Sequence, residues 1–219
     1  IWKNGELEST YISETDTFLE HILYSFDQIN GQLYLPMIRA ESNSPVLHSI
    51  SYSEGFTEPI SRIWNNSYNW AASPIVMSDS ELKTDNKIAV AFNITETENS
   101  IVFLLDSALN YCENDSLFLS QRISSNLVKI ENSLYFITEE NTELYLSNLN
   151  LLENSVSSIK IPKLLENEKP QHLVGFPDTD SDSNLLCMVG NAGSIQLFNT
   201  DAEMYTNFPL VIPMSSISM

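Results

Sequence analysis

Asn184-Leu-Leu-Cys-Met-Val-Gly190-Asn-Ala-Gly-Ser194-Ile-Gln-Leu-Phe-Asn199 is the stretch that decides the fold. Two short apolar runs flank Gly190-Asn-Ala-Gly193, a cluster of turn-forming residues, so the segment reads as two strands joined by a tight hairpin. It is not a phosphate-cradling loop, because such a loop sits at a strand-to-helix junction and here both flanks are strands. An acidic turn, Asp178-Thr-Asp-Ser-Asp182, precedes the hairpin, and His172-Leu-Val-Gly-Phe176 supplies a strand before that turn.

The same plan of strand, turn, strand, turn, strand recurs upstream. His21-Ile-Leu-Tyr-Ser-Phe26, Asn30-Gly-Gln-Leu-Tyr-Leu35 and Pro45-Val-Leu-His-Ser-Ile50 form one copy. Ser73-Pro-Ile-Val-Met77, Lys87-Ile-Ala-Val-Ala-Phe92 and Ser100-Ile-Val-Phe-Leu-Leu105 form another. Asn126-Leu-Val-Lys-Ile130, Ser133-Leu-Tyr-Phe-Ile-Thr138 and Glu143-Leu-Tyr-Leu-Ser-Asn148 form a third. The copies start roughly 45–55 residues apart, the spacing of propeller blades rather than of helical repeats. A twisted four-stranded sheet cannot cover both its faces, so neighbouring sheets of this kind stack. The expectation is an all-β chain, a β-propeller or a portion of one, with antiparallel four-stranded blades over about 15–60, 61–120, 121–165 and 166–213. Helical spacing is scarce. Phe18, Leu19, Ile22, Leu23 and Phe26 fit a helix over Thr15–Phe26, although His21–Phe26 reads equally as a strand, and Pro162–Glu168 is a second, shorter helical candidate.

Composition narrows the partners. The chain has 219 residues, 42% hydrophobic and 18% charged, a globular balance. Its 29 acidic residues against 10 basic ones give a net charge of −19, which repels nucleic acid and anionic membrane surfaces. Neither is expected as a partner, and solubility is the plainest account of the charge. No apolar run is long enough for a membrane-spanning helix. The opening Ile1-Trp2 leads to the expectation of a processed N-terminus or a piece of a longer protein. Cys112 and Cys187 belong to no CxxC or His-paired motif; Cys187 reads as a buried small hydrophobe, and a bridge between the two is open.

The last repeat, Phe176 to Asp201 followed by Asn207-Phe-Pro-Leu210, resembles the blades of secreted bacterial propellers of the FG-GAP, integrin-α-like and quinoprotein-like group. Their pattern is an Asp-rich turn, an apolar strand, a Gly-containing turn, a strand ending near Asn or Asp, and an outer Phe-Pro-Leu segment. Ser73–Asp79 with Asp85–Val90 is similar in a degenerate form. The resemblance implies a propeller on a secreted or surface-exposed protein. Six glycines are fewer than such repeats use.

Candidate sites are few. Asp178, Asp180 and Asp182, with Asn184, alternate oxygen ligands as a calcium loop does, so Ca²⁺ is the one cofactor suggested. The ladder lacks a central Gly and a closing Glu, and a solvated turn is the plainer reading. Trp64, Tyr68 and Trp70 have the even spacing of one strand face and would suit a carbohydrate-stacking platform; aromatic packing between blades competes with it. His21, His48 and His172 lie at or near apolar strands, and no HExxH or GxSxG occurs. The favoured function is a non-catalytic interaction or scaffold module that binds a protein or glycan. The alternatives are a propeller-type carbohydrate-active hydrolase or lyase, and a cytoplasmic scaffold of a large assembly.

Overall fold

The computed structural model describes residues 2–3, 6–7, 15–19, 22–27, 31–51, 59–77, 88–162, 168–177, 184–205 and 207–211. Among these the secondary structure is entirely β. Strands β1 (Trp2–Lys3) and β2 (Glu6–Leu7) form a small antiparallel pair. Four larger sheets follow, each made of strands that pair in chain order, which is the blade plan of a β-propeller.

The first sheet contains β3 (Asp16–Phe18), β4 (Ser25–Asp27), β5 (Gln32–Arg39), β6 (Ser44–Ser51) and β7 (Ile60–Ile63). The second contains β8 (Tyr68–Trp70), β9 (Ile75–Val76), β10 (Ile88–Ile94), β11 (Ser100–Leu105) and β12 (Tyr111–Leu119). The third contains β13 (Arg122–Ile123), β14 (Val128–Ile130), β15 (Ser133–Glu140), β16 (Glu143–Asn150) and β17 (Ser155–Ile161). The fourth contains β18 (Pro170–Pro177), β19 (Asn184–Gly190), β20 (Ser194–Asn199) and β21 (Leu210–Val211).

In the first three sheets the opening strand is broken in two. β3 and β4 both pair with β5, β8 and β9 with β10, and β13 and β14 with β15. The fourth sheet instead keeps one eight-residue strand, β18, whose register on β19 shifts between Pro170 and His172.

The helical spacing over Thr15–Phe26 is therefore not realised. Residues 16–18 and 25–27 add to β5, and Phe18 and Leu23 stay 63% and 66% exposed, so the apolar stripe of a helix would have had nothing to cover it. Ladder pairing with β5 satisfies the backbone instead. In the other helical candidate, residues 163–167 lie outside the described set.

The chain forms two compact units, Ile1–Thr97 with Ile101–Phe118, and Glu98–Ser100 with Leu119–Met219. In the first, Tyr34 and Leu47 pack with Ile88, Val90, Phe92, Phe103 and Leu105. The second unit packs Ile137, Leu146 and Ile161 against Leu173, Leu186, Met188 and Phe198. Asn126 ties its two sheets together: its side-chain amide donates to the Leu173 carbonyl and its carbonyl accepts from the Leu173 amide, both at 2.8 Å. The two sheets also approach closely at Gly175, where a Cβ would lie 2.6 Å from a methyl of Val128.

Few turns among the described residues use glycine. Asn43, Glu96, Glu131, Asn141, Thr142, Asn154 and Ala202 all take positive φ, beside Gly31 and Gly193. The short polar side chain of Asn tolerates this region, but Glu and Ala pay a steric cost there.

Candidate functional site

A buried polar network lies on the first sheet. The register sets Asp16 opposite Arg39 and Ser61 opposite His48. Arg39 is four residues beyond the Leu35 that faces His48, so the two-residue period places all of them on one side of the sheet. The His48 ring joins them. Its Nε2 is 2.8 Å from Asp16 Oδ2 and its Nδ1 is 2.7 Å from Ser61 Oγ, while Arg39 Nε donates to Asp16 Oδ1 at 3.2 Å. Asp16 and His48 are buried, and Ser61 lies exposed on the edge strand.

Burial pushes the Asp16 carboxyl up, yet the hydrogen bonds and positive charge of Arg39 and His48 outweigh it and hold the group below its ordinary value. Asp16 is therefore an anion at neutral pH. With a neutral imidazole, Nε2–H donates to this carboxylate and Nδ1 accepts from the Ser61 hydroxyl. Such a chain can pass a proton from Ser61 to His48 while Asp16 stabilises the imidazolium. The network also ties four strands of one sheet together, β3, β5, β6 and β7, and its hydrogen bonds to the Asp16 carboxylate are charge-assisted.

Sequence reading did not find this network. Its members are scattered from residue 16 to residue 61, and only the strand register assembles them. One local signal was present: His48 interrupts the apolar run Pro45–Ile50 at an inward-facing position.

The aromatic candidates converge elsewhere in the same unit. Trp64 lies between β7 and β8, whereas Tyr68 and Trp70 sit on β8. Trp64 is only 5% exposed and packs 4.9 Å from Phe92 and 6.0 Å from Trp70, measured between ring centres. Tyr68 reaches both Phe92 and Phe103, and Trp70 Nε1 donates to the Met37 carbonyl. These rings bridge the first and second sheets. Arg62 closes the cluster, donating to the Leu109 carbonyl at 2.7 Å and lying 3.4 Å above the Tyr111 ring.

Of the acidic ladder, Asp178, Asp180 and Asp182 lie outside the described residues. Asn184 opens β19 and its side-chain amide donates to Glu131 Oε1 at 3.2 Å. No disulfide joins Cys112 and Cys187, both are half-buried, and burial pushes the Cys187 thiol up.

No family model matches the sequence, and no curated protein matches it. Solved structures do. A protein from Lactobacillus plantarum superposes with a TM-score of 0.54 at 11% identity, over 87% of this chain and 57% of its own. The chain thus spans little more than half the length of that structure. An engineered GH43 glycoside hydrolase with endo-xylanase and exo-arabinofuranosidase activity gives a TM-score of 0.46 at 11% identity, over 88% of this chain and 42% of its own. At such identity the likeness is one of fold, and the fold is all-β, a propeller or a portion of one built of antiparallel blades.

Proposed function

We propose that this chain is a non-catalytic interaction module, a set of propeller blades that binds a protein or a glycan on a secreted or surface-exposed protein. The same reading takes its repeats as degenerate relatives of the FG-GAP, integrin-α-like or quinoprotein-like blades that the last repeat resembles.

The observation that supports it is the outer face of the fourth sheet. Leu173, Leu186, Met188 and Phe198 fill one side of that sheet and form the core of the second unit. The register puts Val174 opposite Cys187 and Phe176 opposite Leu185 on the other side, with Leu197 beside Cys187 and Leu210 beside Ile195. Val174 and Leu210 are about half exposed, at 51% and 50%. A contiguous apolar strip on a strongly acidic protein is the mark of an interaction surface.

The test pairs a glycan array and a displayed-peptide library with the double variant Val174→Asp, Phe176→Asp. Binding that this variant loses, while its cooperative melting is kept, supports the module. Binding that the variant retains removes the fourth sheet from the proposal, and robust turnover in a broad hydrolase and lyase screen overturns the non-catalytic reading altogether.

The Asp16–His48–Ser61 chain is the one observation that favours the enzymatic alternative. If it drives hydrolysis, Ser61→Ala abolishes that turnover and leaves the melting temperature nearly unchanged.

A further inference from the structure

One end of the fourth sheet buries a carboxylate with no hydrogen-bond partner among the described residues. Glu168 precedes β18 and is 1% exposed, and neither of its oxygens meets a hydrogen-bond donor. Ser194 and Gln196, two residues apart on β20 and therefore on one face, are completely buried. The Ser194 hydroxyl and Gln196 Oε1 also have no hydrogen-bond partner among the described residues. Gln196 Nε2 donates to the Pro162 carbonyl at 3.1 Å, which fixes which end of the amide is left over.

Gly190 shows that the first two of these groups are gathered at one point. A Cβ built on it would lie 2.1 Å from Glu168 Oε1 and 2.8 Å from Ser194 Oγ. Its φ is not in the left-handed region, so turn geometry does not call for glycine here; the Glu168 carboxylate occupies the volume a side chain would need. The flanking backbone is pinned as well. The Lys169 amide donates to Asn191 Oδ1, and the Asn191 amide donates to the Lys169 carbonyl, each at 2.9 Å.

Taking a carboxylate out of water without a counter-charge costs several kcal/mol. The Glu168 carboxylate and the Ser194 hydroxyl border Gly190, and Gln196, whose amide carbonyl is left over, stands two residues from Ser194 on the same face of β20. Oxygen sets of this kind hold hard cations and not the softer metals that take thiolate or imidazole. We propose that Glu168, Ser194 and Gln196 form a buried site for a hard cation of the alkali or alkaline-earth class, with Gly190 kept bare to admit the Glu168 carboxylate. None of its residues belongs to the acidic ladder of Asp178, Asp180 and Asp182. It holds the β19–β20 hairpin to the segment entering β18, which makes its role structural.

The test is a thermal melt of the chelator-treated chain in choline chloride, titrated with CaCl₂, MgCl₂, NaCl or KCl at matched ionic strength. One of these cations is expected to raise the melting temperature saturably, by about 4–8 °C. Glu168→Gln and Gly190→Ala lose the rise, and Ser194→Ala moves its midpoint about tenfold higher in concentration. The triple variant Asp178→Asn, Asp180→Asn, Asp182→Asn keeps it. No saturable rise with any of the four salts overturns the proposal, and so does a rise that survives in Glu168→Gln or disappears in the triple variant. Should Glu168→Gln fail to fold, the Ser194→Ala midpoint decides: an unmoved midpoint overturns the site.

Discussion

Asp16 carries the sharpest consequence at the scale of single residues. Its ionised form is favoured in the folded chain by Arg39 and His48, against the effect of burial. A carboxyl held below its unfolded value stabilises the fold above about pH 4 and loses that contribution as pH falls through the folded value. Asp16→Asn should cost about 2–3 kcal/mol at pH 7, the worth of hydrogen bonds to a charged group. Urea denaturation at pH 7 and at pH 3 checks this, and the gap between variant and wild type should narrow at the lower pH. Glu96 offers the opposite sign. It is exposed in the turn after β10, at φ 65°, and the turn is closed by the Thr97 amide donating to the Ile94 carbonyl. Glu96→Gly removes the steric cost of that conformation and should raise stability by up to about 1 kcal/mol, read as a melting temperature about 2–4 °C higher. Little at this scale was legible beforehand. The sequence names His48 and its apolar strand, but which carboxylate, guanidinium and hydroxyl meet its ring depends on the pairing of β3, β5, β6 and β7.

Elements were legible where both faces of a strand are apolar and obscure where they are not. β5, β6, β10, β11 and β15 run through the middles of their sheets, and their near-continuous Val, Ile, Leu and Phe follow from burial on both sides. β17, by contrast, is an edge strand, largely exposed along Ser155–Lys160, and its Val-Ser-Ser sequence gives no alternation to read. The broken opening strands were misleading for a related reason. Only two or three residues of each piece pair with the neighbour, too few for a period of two to show against the helical spacing of Phe18, Ile22 and Phe26. Asn126 and Gly175 show how the third and fourth sheets hold together. Asn126→Ala loses two sheet-bridging hydrogen bonds and should cost about 1–2 kcal/mol. Gly175→Ala forces a methyl against Val128 and Ile130 and should cost about 1–3 kcal/mol. Chemical denaturation of the two variants measures both, and a neutral Asn126→Ala would mean that water replaces the amide at no cost.

For the whole molecule, charge and fold are separate matters. A net charge of −19 repels itself in the compact state, so the melting temperature should rise as NaCl is taken from low ionic strength to about 0.5 M, where the screening length shrinks to a few ångströms. Calorimetry across that range tests it, and a flat response would mean that the acidic side chains are already neutralised locally. The sequence by itself determined the all-β class, the blade plan and the hairpin from Asn184 to Asn199, because short apolar runs and turn residues act locally and repeat. It also singled out Trp64, Tyr68 and Trp70, though not the partners their rings find in Phe92 and Phe103. Only the tertiary structure decided that Asp16, Arg39, His48 and Ser61 form one network, and that Glu168 and Ser194 both border Gly190. Those groupings are made by cross-strand register and by the packing of sheets, and neither leaves a fixed spacing along the chain.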